Sequence, residues 1–189
     1  MGLSQVYVRS GSFLTNTGKL LRNAIGVHLL KEWNSIEKKD IVPVDENMLQ
    51  EILRIQAEAF ENKNQESIIK YAKNQRKIFY VIKNRDKVAG YCAYYLKPEF
   101  SFKGLRKKSV IYSIATDKDF RGKGYGKKLL EESIKEMKLN GIYSILLYVK
   151  VNNTSAIKLY EKMGFQIVRR TEGICGIKEK CYIMELKLE

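Results

Sequence analysis

The chain has 189 residues, of which 44% are hydrophobic and 30% charged, with only two prolines. This supports a packed core of about one domain plus a surplus, and it excludes a wholly disordered or linker-rich chain. The formal charge is +14, from 35 basic and 21 acidic residues. A nucleic-acid partner, an anionic small ligand and a bias of composition towards lysine each account for that charge.

No run of 18 apolar residues occurs, so no membrane span is expected. The stretch Met1 to Arg22 has no apolar core segment, and no secretory signal is expected there. Cys92, Cys175 and Cys181 form an odd set without C-x-x-C spacing, and His28 is the single histidine. A zinc site would need an unusual ligand set, so no metal is expected. The cysteines are expected to be reduced, small buried hydrophobes of a cytoplasmic protein.

Residues 1–40 form an N-terminal extension, and 41–189 the main domain. The opening, from Ser4 to Gly18, is polar and rich in loop formers. Leu20, Leu21, Ala24, Ile25, His28, Leu29, Trp33 and Ile36 then recur at helical steps among basic residues. This predicts a basic amphipathic helix that packs on the body, on a partner or on a membrane surface, with His28 and Trp33 as packed side chains.

Ile41 to Val44 reads as a short strand, and Asp45 as the cap of a helix striped by Met48, Leu49, Ile52, Ile55, Ala59 and Phe60. A second helix covers Glu66 to Ala72. The β-rich runs Ile78–Ile82 and Val88–Tyr95 flank Asn84–Lys87 as a hairpin. Lys97 to Lys108 is expected to be a charged loop, and Val110 to Thr116 a strand. A helix follows Gly126, then a buried strand over Ile142–Val149. Asn153 caps a helix that Gly164 closes, and two strands, Phe165–Val168 and Tyr182–Leu188, end the chain. The resulting order, β-α-α-β-β-β-α-β-α-β-β, predicts a mixed α/β sheet, antiparallel early and with strand–helix–strand crossovers late.

The segment Arg121-Gly122-Lys123-Gly124-Tyr125-Gly126 lies between a strand and a helix. The first amides of a helix lack internal partners and sit at its positive end. Glycines remove side chains that would keep a ligand from the backbone. Together these features predict an anion cradle, suited to a pyrophosphate, with Arg121, Lys123, Lys127 and Lys128 adding charge. A tight turn decorated with surface lysines is the plainer reading. The spacing is neither that of a P-loop nor that of a dinucleotide fingerprint.

Two strings, IATDKDFRGKGYGKKLL at Ile114–Leu130 and VKVNNTSAIKLYEKMGF at Val149–Phe165, resemble the GNAT family of acyl-CoA-dependent N-acetyltransferases. That family shows Q/R-x-x-G-x-G/A after a strand, then N-x-x-A-x-x-L-Y-x-x-x-G-F. The resemblance covers Ile41 to Glu189 as a fold, and Tyr112 to Leu188 most strongly. It implies a twisted mixed sheet of six to seven strands, flanked by helices, with a splayed strand pair that holds CoA. It also implies acetyl-CoA as co-substrate and a primary amine as acceptor. By the same resemblance, Ile114, Ala115 and Thr116 pair with the pantetheine arm. Arg121, Gly122, Lys123, Gly124, Tyr125, Gly126 and Lys127 bind the pyrophosphate. Asn153 stands near the acetyl end, and Tyr160 is the general acid towards the leaving thiolate. A phenol of pKa about 10 protonates a thiolate of pKa about 8.5 at a cost of about 2 kcal/mol. Core packing is the plainer role for Tyr160.

Within the family, the chain looks most like the ribosomal-protein and protein N-terminal α-amino acetyltransferases. Those ribosomal-protein enzymes carry a glutamate base five residues before the asparagine, where this chain has Tyr148. An α-amine of pKa about 8 is partly neutral near neutral pH, whereas a lysine at about 10.4 is not. A site without a strong base therefore suits an α-amine, with Tyr148 ordering a water or Glu99 approaching the amine. A small-molecule amine is an alternative acceptor. A basic nucleic-acid-binding module is an alternative class, although no zinc-finger, helix-turn-helix or RNP-like string is present.

Overall fold

The computed structural model describes residues 16–38, 40–60, 65–102 and 104–188. The elements are α1 (Asn16–Lys31), β1 (Ile41–Pro43), α2 (Leu49–Phe60), α3 (Gln65–Asn74), β2 (Phe79–Asn84), β3 (Lys87–Leu96), β4 (Glu99–Ser101), β5 (Gly104–Arg106), β6 (Lys108–Thr116), α4 (Tyr125–Leu139), β7 (Ser144–Lys150), α5 (Thr154–Lys162), β8 (Gln166–Glu172) and β9 (Lys180–Lys187). Seven strands form one sheet in the order β1-β2-β3-β6-β7-β9-β8. Only β6 and β7 are parallel neighbours. The crossover through α4 joins them, as a parallel pair requires.

Strand alternation divides the core between the two faces of the sheet. Tyr80 and Ile82 join Leu129, Leu130, Met137 and Tyr160 beneath α4 and α5. Phe79 and Val81 join Ile52, Ile55 and Ile68 beneath α2 and α3. Asp45 caps a short 3-10 turn, Glu46–Met48, that leads into α2. Gly141 and Gly164 follow α4 and α5 at φ +69° and +88°, the left-handed stops that glycine adopts without strain.

Several expectations change. The charged segment from Lys97 to Lys108 is not a plain loop, because β4 and β5 pair within it as a small ribbon. The last helix–strand unit is longer than expected, with β8 running to Glu172 as the exposed edge of the sheet. Cys175 and Cys181 are not separate thiols. The loop joining β8 to β9 brings their Cα atoms to 6.3 Å, and they form a disulfide, while Cys92 is free and buried.

The polar opening through Thr15 lies outside the described residues. Leu30, near the end of α1, and Trp33, just beyond it, enter the core on the α4 side. The Trp33 indole Nε1 donates to Glu136 at 2.7 Å, and the Tyr80 hydroxyl donates to the same oxygen at 2.8 Å. The Ile36 amide and the Lys38 ammonium donate to the other oxygen of Glu136. Four donors thus satisfy one carboxylate whose side chain is 0% exposed. Asn140 exchanges two bonds with the Asn34 backbone alongside. His28, expected on the packed face, is instead exposed and lies 3.7 Å from Glu32.

Candidate functional site

The site begins where two strands part. β6 and β7 pair only at Lys108–Ser144, Ser109–Ile145 and Val110–Leu146. Beyond these, β6 stays with β3 to Thr116, and β7 stays with β9 to Lys150. The facing edges diverge without a strand between them. A bulge lies at the same place, since Ala93 faces Ser113 while Tyr94 faces Ile111, which makes Tyr112 the extra residue. A bulge bends its strand and sharpens the twist. Ile114, Ala115 and Thr116 occupy the diverging part of β6 and are buried.

The loop after β6 opens with Asp117, whose amide continues the ladder to the Ala89 carbonyl at 3.0 Å. Its carboxylate accepts from the Asp119 amide at 2.8 Å, capping the 3-10 turn Lys118–Phe120, and also takes a bond from Arg54 on α2. Burial pushes this carboxyl up, but the Arg54 guanidinium and the Asp119 amide outweigh it, so the group is held below its ordinary value. Asp117 raises Arg54 in turn. This pair ties α2 to the root of the loop across 63 residues.

Gly122 and Gly124 have φ +74° and +83°, and a Cβ built at either meets nothing within 4 Å. The surface above them is open. The Lys128 amide bonds to the Gly124 carbonyl at 3.0 Å, so the amides ahead of it have no acceptor within α4. Arg121 turns back, its Nε donating to the Thr116 carbonyl at 3.2 Å. Lys123 donates to the Asp119 carbonyl at 2.9 Å and lies over the Phe120 ring. Phe120 meets Tyr125 edge to face at 5.5 Å. Lys127 and Lys128 pair with Glu131 and Asp40. Gly126 is buried where α4 starts against the sheet.

On the other arm, Asn153 caps α5, accepting from the Ala156 amide at 3.3 Å and the Ser155 hydroxyl at 3.2 Å. Tyr160 is 0% exposed and packs at 5.8 Å from Phe165. It belongs to the same core cluster as Ile114, Val149 and Ala156.

The opposite face carries an aromatic group that sequence reading did not assemble. Tyr112 stacks on Tyr71 of α3 at 4.0 Å, and Tyr95 lies 6.2 Å from Tyr71. Tyr148 packs with Val110 and Tyr95 beneath Ile174 and Cys175 of the β8–β9 loop. Burial pushes the Tyr71, Tyr95 and Tyr148 phenols upward, so all three stay neutral around pH 7. Glu99 is bound to Lys108 at 3.0 Å. Its only sequence signal was its place in a charged loop. The aromatic group had a signal of its own, a tyrosine at each of four β or α positions that fold together. Among the described residues, no cluster of three or more His, Cys, Asp or Glu is placed to hold a metal.

Diverging parallel strands, a bulge and an open glycine loop ahead of a helix characterise this α/β protein. Residues 46–165 match the Acetyltransferase (GNAT) family, and the chain belongs to it. The [Ribosomal protein bS18]-alanine N-acetyltransferase of Salmonella typhimurium is 40% identical over 58 residues, 31% of this chain and 39% of that protein. An N-alpha-acetyltransferase of Saccharolobus solfataricus is 40% identical over 81 residues, 42% of this chain and 48% of that one. The chain thus matches less than half the length of either. A chain of the NatC complex, solved bound to Gag peptide and CoA, superposes with a TM-score of 0.70 at 23% identity, covering 80% of this chain and 100% of that one. The last likeness is one of fold. Among the described residues, no helix is long and apolar enough to cross a membrane.

Proposed function

We propose that this protein transfers the acetyl group of acetyl-CoA to the N-terminal α-amine of a protein or peptide. The observation that carries the reading is the divergence of β6 from β7 directly ahead of the open glycine loop. Family membership supports acetyl transfer, and the two curated relatives support the acceptor by their names.

The residues present fit a CoA diphosphate. Gly122 and Gly124 leave space where any other side chain would stand, and the first amides of α4, which have no acceptor within the helix, lie at its positive end. Arg121, Lys123 and Lys127 add cationic charge. The backbone of Ile114 to Thr116 offers the pantetheine arm an extended partner, and Asn153 stands at the start of α5, towards the acetyl end. Acetyl-CoA supplies a thioester whose carbonyl carbon the amine attacks, forming the C–N bond as the C–S bond breaks. Tyr160 hands its proton to the departing sulfur. Tyr160 is 0% exposed, so its proton is shielded from bulk water.

No carboxylate stands at position 148, and the tyrosines facing that side are neutral. The acceptor must therefore arrive as a free amine, which favours an α-amine of pKa about 8 over a lysine of about 10.4. The test is a panel of free peptides, N-terminally blocked lysine peptides and polyamines with acetyl-CoA, read by thiol release. We expect turnover with free peptide N termini alone. Turnover with polyamines but not peptides would replace the acceptor with a small molecule, and turnover with none would remove the reading.

A further inference from the structure

β4 and β5 form a two-stranded ribbon that is not hydrogen-bonded into the main sheet. Phe100 faces Leu105 across it, and Phe102 lies in its turn. Their exposures are 67%, 42% and 112%, and none joins a core cluster. Three large apolar side chains exposed within six residues are a surface with a purpose, where scattered single ones are ordinary.

The flanks of the ribbon are cationic. Outside the turn they carry four basic residues, Lys97, Arg106, Lys107 and Lys108, and one acidic residue, Glu99. Lys108 already neutralises Glu99 at 3.0 Å. Arg106 lies over the Tyr143 ring at 4.9 Å. Lys107 lines an open cavity of about 400 Å³ with Leu96 and Leu139.

An apolar tip on a cationic stem matches the layered chemistry of an anionic bilayer surface. Apolar side chains enter the outer layer to a depth of about 5–10 Å, while lysine and arginine stay among the phosphates. Three strand residues at about 3.3 Å each reach about 10 Å, the depth required. Single-stranded nucleic acid is drawn by the same charge, but it stacks on flat aromatic platforms. The Phe100–Leu105 pair instead forms a mixed ridge. We propose that the β4–β5 ribbon docks this protein onto an anionic lipid surface, with Phe100, Phe102 and Leu105 inserted and the flanking cations on the headgroups. This inference is independent of the acetyl-transfer reading.

The test is co-sedimentation of the full chain with phosphatidylcholine vesicles, with and without phosphatidylserine. The Phe100→Ser/Phe102→Ser double variant and a competing poly(U) RNA accompany it. We expect binding only to the phosphatidylserine vesicles, weakened by salt, and about tenfold or more weaker in the double variant as its apolar burial is lost. Both side chains are exposed, so the thermal unfolding of the variant should match the wild type. Absence of vesicle binding overturns the proposal, as does vesicle binding that the double variant retains. RNA binding that depends on the two phenylalanines, without vesicle binding, would assign the ribbon to nucleic acid instead.

Discussion

Gly124 caps α4 at φ +83° under open space, so Gly124→Ala produces two separable effects. The left-handed backbone costs an L-residue roughly 1–2 kcal/mol. In a chain of this size that lowers Tm by roughly 2–8 °C. The new methyl also stands where a bound diphosphate needs the backbone bare. Losing one charge-assisted amide bond costs roughly 1.5–3 kcal/mol, or about 10- to 150-fold in affinity. Gly141 provides the control, because it is left-handed and equally open at the far end of α4. Calorimetric titration with acetyl-CoA, paired with thermal melts, separates the two effects. We expect Gly124→Ala and Gly141→Ala to lose similar stability and only the first to lose affinity. Unchanged acetyl-CoA binding in Gly124→Ala would refute the cradle, and an equal loss in Gly141→Ala would trace the effect to the helix as a whole.

Tyr160→Phe should lower kcat by about 100-fold or more, with KM for acetyl-CoA retained, and thiol-release kinetics would expose a wild-type kcat as a contradiction. Glu136→Ala strips the shared acceptor from Trp33, Tyr80, Ile36 and Lys38. It leaves a buried ammonium unpaired, so urea unfolding should show a loss of about 3–5 kcal/mol. Asp117 titrates below its ordinary value when folded. Its stabilising contribution is complete above the unfolded pKa of about 3.9 and fades as pH falls through the folded value. The stability gap between wild type and Asp117→Asn should therefore narrow below about pH 4. A gap independent of pH would mean that the ionised carboxylate contributes nothing.

The parts of the site visible in the sequence are those that local rules decide. Gly122 and Gly124 mark a tight turn with a bare backbone, and Asn153 announces a helix start, because each acts on amides within a few residues of itself. The early hairpin and the late strand–helix–strand alternation were legible as a succession of elements, but the strand order was not, because β9 inserts between β7 and β8. What stayed hidden depends on distant partners. Glu136 reads as one more charge on a lysine-rich helix, and its burial comes from a strap about 100 residues earlier. Asp117 gives no sign in the sequence of its bond to Arg54, which lies 63 residues earlier on α2. The bulge at Tyr112 has no local signature, since it exists only in the register of β3 against β6. Lys97 to Lys108 looked like a loop because charges masked a pattern set by one cross-strand pair, Phe100 with Leu105. The cysteines were misread because a six-residue separation says nothing until β8 and β9 fold back on each other.

The most direct measurement is amide chemical-shift mapping of the 15N-labelled protein during titration with CoA. We expect the largest shifts at Gly122, Gly124 and Gly126, with smaller ones along Ile114 to Thr116. Saturable binding that shifts other regions and leaves those glycine amides still would contradict the phosphate cradle, and with it the assignment of the site.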